Sequence, residues 1–125
     1  MALNQHLPLS PHLQIYTLPL TGIISITHRM TGVCLSIGLI AIVYFLVSLA
    51  SGAADFASLQ IILNGWLCKL IYWGFLFGLS FHLCHGLRHL VWDAGSGFEK
   101  SAMNVLVAIE LAGTHFIFLT FLFLL

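Results

Sequence analysis

Twelve residues, His82-Leu83-Cys84-His85-Gly86-Leu87-Arg88-His89-Leu90-Val91-Trp92-Asp93, gather three of the chain's seven histidines with an arginine and an aspartate. They close a long apolar segment. Polar side chains at membrane depth are costly and persist mainly where they bind something or line an aqueous path. On a helix, His82 and Gly86 lie about 40° apart, His82 and His89 about 20° apart, and Asp93 returns to nearly the same direction. His85 falls about 60° to one side, and Arg88 points well away. Gly74, Gly78, His82 and Gly86 form an unbroken i, i+4 row, so one face carries imidazole where bulk would otherwise stand. Such a face suits a flat group. A b-type haem takes a neutral imidazole nitrogen as axial ligand, and its propionates need bases or imidazoles. His82 is the expected ligand, with bases at the helix end as propionate partners. The alternative is a histidine hydrogen-bonded to a neighbouring helix. His85 is a rival ligand, but its neighbours one turn away are Phe81 and His89 rather than glycines.

A second constellation is Ser25-Ile26-Thr27-His28-Arg29. Ser25 and Arg29 share a helix face. A quinone has two carbonyl oxygens on an apolar ring, and it needs hydrogen-bond donors at the edge of lipid. A hydroxyl and a guanidinium beside an apolar helix meet that need. The plainer alternative is a helix-start serine with a snorkelling arginine.

The elements that must position these residues follow from the spacing of charge. Charged residues are 6% of the chain against roughly 25% in an ordinary soluble domain. Residues 30–54 and 70–87 carry no charge, and a bilayer core of ~30 Å takes about 20 such residues as helix. The fold class is an all-α membrane protein with three transmembrane helices, over about 21–50, 59–90 and 105–125, in a single domain of residues 1–125. Pro8, Pro11 and Pro19 make residues 1–20 a surface arm rather than continuous helix. Residues 51–55 and 93–104 read as loops. Ser25, Arg29, Gly32 and Ser36 form a small, polar stripe along the first helix, suited to close helix packing. Glu110 and His115 are the internal polar residues of the third. Arg29, Arg88 and Lys100 put the N-terminus and second loop on the cytoplasmic or matrix side.

Formal net charge is zero, which argues against nucleic acid as a partner. Cys34, Cys68 and Cys84 are odd in number and lack C-x-x-C spacing, which argues against a disulfide framework or a zinc site. The first residues carry no charged run ahead of an apolar one, so no cleavable signal peptide is expected.

Taken together, two blocks carry a resemblance. Pro8-Leu9-Ser10-Pro11-His12-Leu13-Gln14-Ile15-Tyr16 with Ser25-Ile26-Thr27-His28-Arg29-Met30-Thr31-Gly32, and His82-x-x-x-Gly86-x-Arg88-His89-Leu90-x-Trp92-Asp93 downstream, resemble the two signatures of the succinate dehydrogenase cytochrome b subunit family. The chain departs from the usual pattern at Leu7 and Thr17, where that family commonly carries bases. The resemblance implies a large membrane anchor of respiratory complex II, non-catalytic on its own. Its partners would be a flavoprotein subunit, an iron–sulfur subunit and a second small membrane anchor. It implies one haem b shared with that second anchor, which supplies the other ligand, and ubiquinone as substrate. By matching motif, His82 would be the axial ligand to the haem iron, and Ser25 and Arg29 the quinone-pocket residues. His28, Arg29 and His89 would be propionate neighbours. The expected location is the bacterial inner membrane ahead of the mitochondrial one.

Two other readings stand beside it. One is a self-contained dihaem or diquinone cytochrome with His115 ligating opposite His82. The other is a non-redox transport or structural protein in which Glu110, His115 and Arg29 line a path.

Overall fold

The computed structural model describes residues 17–124, all helix apart from short connections. The expected surface arm falls almost wholly on residues 1–16, outside the described residues. Four helices follow: α1 Leu20–Ser51, α2 Ala53–Leu63, α3 Trp66–Asp93 and α4 Lys100–Leu124. α1, α3 and α4 are long and apolar enough to cross a membrane. At 1.5 Å per residue they measure about 48, 42 and 37 Å.

α1 begins where Pro19, extended at φ −64° and ψ 151°, offers its carbonyl to Gly22 and Ile23 at 2.9 and 3.2 Å. Proline has no N–H to lose at that boundary. The helix ends at Gly52, whose φ of +120° is open to glycine and strained for other residues. α2 starts immediately afterwards and folds back along the last turns of α1, with Phe45 and Phe56 meeting edge to face at 5.7 Å.

The single helix expected over about 59–90 is thus divided. Asn64 is still helical, but Gly65 turns to ψ 143° and caps α3. Glycine tolerates that departure at little steric cost, and the chain can re-aim before Trp66. Asp55, expected in a loop, lies in the first turn of α2, where an acid complements the helix dipole. α4 begins at Lys100, earlier than expected, because no breaker stands between Lys100 and Asn104 and the Glu99 carbonyl already accepts from Met103 at 2.8 Å.

α3 is the central helix, packed on both α1 and α4. The core joins all three through Ile24, Phe81 and Val107, with Leu111 against them. α1 meets α3 along Ile24, His28, Thr31, Gly32 and Gly38, most closely at Gly38, where a Cβ would overlap the Phe75 ring. Of the expected stripe, Gly32 packs against His82 on α3, while Arg29 and Ser36 are exposed. Lipid is as apolar as leucine, so hydrophobicity cannot say which side of a membrane helix meets protein.

Candidate functional site

α1 delivers His28 against α3, and the ring enters a stack. It lies 3.9 Å from the His82 ring at 14° and 4.2 Å from the His85 ring at 25°. His89, one turn beyond His85, is 5.8 Å from His28 and 4.9 Å from His85 between centroids. Ligand-capable nitrogens of His28, His85 and His89 all lie within 4.8 Å of one another. Four imidazoles therefore converge near one end of the α1–α3 seam. His28 Nδ1 is buried with no hydrogen-bond partner.

His82 sits where α1 comes closest. Its Nδ1 is 3.2 Å from Thr31 Oγ1, and the same hydroxyl donates to the His28 carbonyl at 2.8 Å. A Cβ at Gly32 would stand 3.1 Å from His82 Cε1, so a side chain there would press on the ring. The glycine row is partly a packing surface: Gly78 faces the Thr31 methyl, 3.8 Å from its own Cβ position. Gly74 and Gly86 face open space. The row is thus open on either side of the contact with α1.

His85 stacks its ring on His28 and turns its Nδ1 toward α4. It is fully buried, and its Nδ1 is 2.8 Å from Glu110 Oε1 on α4. Arg88 joins them, with Nη1 2.9 Å from Glu110 Oε2 and Nη2 3.1 Å from His85 Nδ1. An ionised carboxylate only accepts, so the His85 Nδ1 hydrogen goes to Glu110, and Arg88 lies beside the ring as the counter-charge. Arg88 and Glu110 are 3% exposed each, an ion pair sealed between two apolar helices. The Glu110 carbonyl also takes the Thr114 hydroxyl at 2.8 Å. Arg88 further lies 4.8 Å over the Trp92 ring, and Trp92 Nε1 donates to the Gly97 carbonyl at 3.3 Å, closing the corner into the α3–α4 loop.

Of the histidines singled out from the sequence, His82 and His89 each approach His28, and His85, the rival ligand, shares the 4.8 Å nitrogen cluster with His28 and His89. Ser25 is half-buried one turn before Arg29, and Arg29 is exposed. Neither enters an ion pair among the described residues. His115 lies apart from the imidazole group; its ring meets Phe77 edge-on at 5.8 Å, and its Nδ1 is 2.7 Å from the Leu111 carbonyl. Sequence reasoning missed the partnership of His85, Arg88 and Glu110. The signal was present as two opposite charges, one in each of two consecutive apolar segments.

The chain matches the model of the succinate dehydrogenase/fumarate reductase transmembrane subunit family over residues 4–121. It is 45% identical over 92 residues to the succinate dehydrogenase cytochrome b556 subunit of Paracoccus denitrificans, covering 74% of this chain and 71% of that one. It is 40% identical over 102 residues to the cytochrome b560 subunit of Reclinomonas americana, covering 78% and 71%. With the mitochondrial cytochrome b560 subunit of Dictyostelium discoideum it shares 32% over 123 residues, covering 91% and 62%.

Proposed function

The chain belongs to the succinate dehydrogenase/fumarate reductase transmembrane subunit family, and from that premise we propose that it is a membrane anchor of a succinate:ubiquinone oxidoreductase. It carries no catalytic residue for succinate oxidation. A flavoprotein and an iron–sulfur subunit would stand upstream, and a second small anchor beside it. The cytochrome b names of the relatives support haem as cofactor, and the chain would share one haem b with that second anchor. Its membrane would be the bacterial cytoplasmic membrane ahead of the mitochondrial inner membrane, with the N-terminus on the cytoplasmic or matrix side.

The observation that carries the haem assignment is the stacking of His82 on His28, with His89 beyond it, beside an open Gly86. The residues fit the group. His82 is half-buried rather than sealed, and the surface one turn further along is free of side-chain bulk. His28 keeps a buried, unpartnered Nδ1, which suits an acceptor such as a propionate. His82 would hold the iron, the second ligand coming from the partner anchor, and His28, Arg29 and His89 would meet the propionates. Bound there, haem supplies a one-electron acceptor and donor within the membrane. His85 is committed elsewhere, enclosed with Glu110 and Arg88, which supports His82 over its rival.

Ser25 and Arg29 would hold the quinone. Arg29 is exposed at the lipid edge, a guanidinium able to donate to a carbonyl oxygen. Ser25, a turn away on the same face, offers a hydroxyl. Both adjoin His28 in the chain, so quinone and imidazole cluster share the first turns of α1.

The test is a reduced-minus-oxidised spectrum of the membrane complex. His82→Leu abolishes the ordinary bis-histidine signal, and His85→Leu keeps it. An unchanged low-spin spectrum in His82→Leu, with loss in His85→Leu, would move the ligand one turn along and sink the assignment.

A further inference from the structure

A hydroxyl has one hydrogen, and at Thr31 two partners stand within reach of it. The His28 carbonyl, 2.8 Å away, can only accept, so the hydrogen goes there. What Thr31 turns toward His82 Nδ1, at 3.2 Å, is therefore a lone pair. The hydrogen between them must come from the ring. A neutral imidazole with its hydrogen on Nδ1 carries a bare lone pair on Nε2.

The surroundings hold the ring in that sense. Cε1 and Nδ1 of His82 come within 4 Å of a Cβ position at Gly32, at 3.1 and 3.8 Å, and Nε2 lies beyond that distance. A ring flipped by half a turn would set a C–H against the threonine oxygen and turn Nε2 in toward Gly32. The His28 ring, 3.9 Å away and nearly parallel, covers one face and limits tilting.

We propose that Thr31 is a positioning residue for the haem ligand: its hydroxyl, anchored on the His28 carbonyl, fixes His82 as the Nδ1–H tautomer and presents Nε2 as the ligating atom. This rests on His82 being the ligand. Outer partners of this kind orient a metal-bound histidine and raise its basicity, and losing one commonly costs 10–100-fold in affinity. A more basic imidazole favours the more highly charged oxidised iron. Removing the hydrogen bond therefore raises the haem midpoint potential and speeds haem loss.

The experiment compares Thr31→Val, Thr31→Ala and Thr31→Ser in the assembled complex. Midpoint potential and the rate of haem loss in detergent are read, with His82→Leu alongside. The expected result is a positive shift in potential and about 10–100-fold faster haem loss in the valine and alanine variants, with serine returning both to the wild-type values. Wild-type values in all three variants overturn the inference, as does one assembly defect common to all three, which would make Thr31 a spacer. If His82→Leu keeps the wild-type spectrum, the ligand assignment has failed. If it loses the spectrum while valine changes nothing, only the role of Thr31 has failed.

Discussion

Two polar clusters lie on opposite sides of α3, and they are built to different ends. Toward α4, Arg88, Glu110 and His85 close on one another, and each charge meets its opposite. Toward α1, the imidazoles stack without exhausting their nitrogens: His28 Nδ1 has no partner, and Thr31 engages only one edge of His82. Both clusters carry the cost of polar groups among apolar helices. The closed one joins α3 to α4 through an ion pair, with Arg88 Nε left without a hydrogen-bond partner among the described residues. The open one, made of imidazoles, leaves His28 Nδ1 without a partner. What separates the two is charge: the α4 side carries an opposed pair, and the α1 side carries stacked imidazoles.

The closed cluster gives the largest expected effect. Glu110→Leu leaves the Arg88 guanidinium buried without its counter-charge, which costs about 3–5 kcal/mol for a broken buried pair. Thermal unfolding of the detergent-solubilised complex should show it, and Arg88→Leu with Glu110→Leu should recover much of the loss. Equal stability of Glu110→Leu and wild type would erase the distinction between the two sides.

Quinone reduction sharpens the contrast on the open side. Losing a hydrogen bond from a charged donor costs about 1.5–3 kcal/mol, so Arg29→Leu should lower quinone reduction by roughly tenfold or more. Ser25→Ala should lower it less, by about 2- to 10-fold, since a neutral hydrogen bond contributes roughly 0.5–1.5 kcal/mol. Succinate oxidation with a soluble artificial acceptor should stay near the wild-type rate in both. If the two activities fell together, these residues would serve the framework of the helix and not the quinone.

The smallest change is Gly32→Ala. The new methyl meets His82 Cε1 at 3.1 Å, so the ring must give by a few tenths of an ångström. Assembly should survive, with a small displacement of the haem absorption band and no loss of haem. A wild-type spectrum would mean that the ring is not held where α1 and α3 cross.

The long helices were legible because uncharged runs of bilayer length stand out against scattered charge. The glycine row was legible too, and Gly74 and Gly86 face open space whatever helix lies opposite. The partner of Glu110 was not. Which residue it meets depends on how α4 is rotated and slid against α3, and neither helix's own pattern encodes that. The break at Gly65 escaped because glycine is common in membrane helices, and only its ψ of 143° distinguishes a joint from a packing notch. Of the α1 stripe, Gly32 meets α3, and the rest of the contact face was not legible for a related reason: Ile24 and Gly38 look the same to lipid as to a neighbouring helix.

The bond between Arg88 and Glu110 also bears on how the polypeptide enters its membrane. Arg88 lies five residues from the end of α3, and its long stem could lift the guanidinium toward water during insertion. Glu110 is ten residues into α4, about 15 Å along the axis, on a stem too short to escape. A charge at the centre of an inserting helix costs roughly 2.5–3.5 kcal/mol on insertion scales. α4 therefore has reason to wait for its neighbour. With only residues 94–99 between them, α3 and α4 are tethered closely enough to partition as one hairpin, the base of the first neutralising the acid of the second before lipid closes around either.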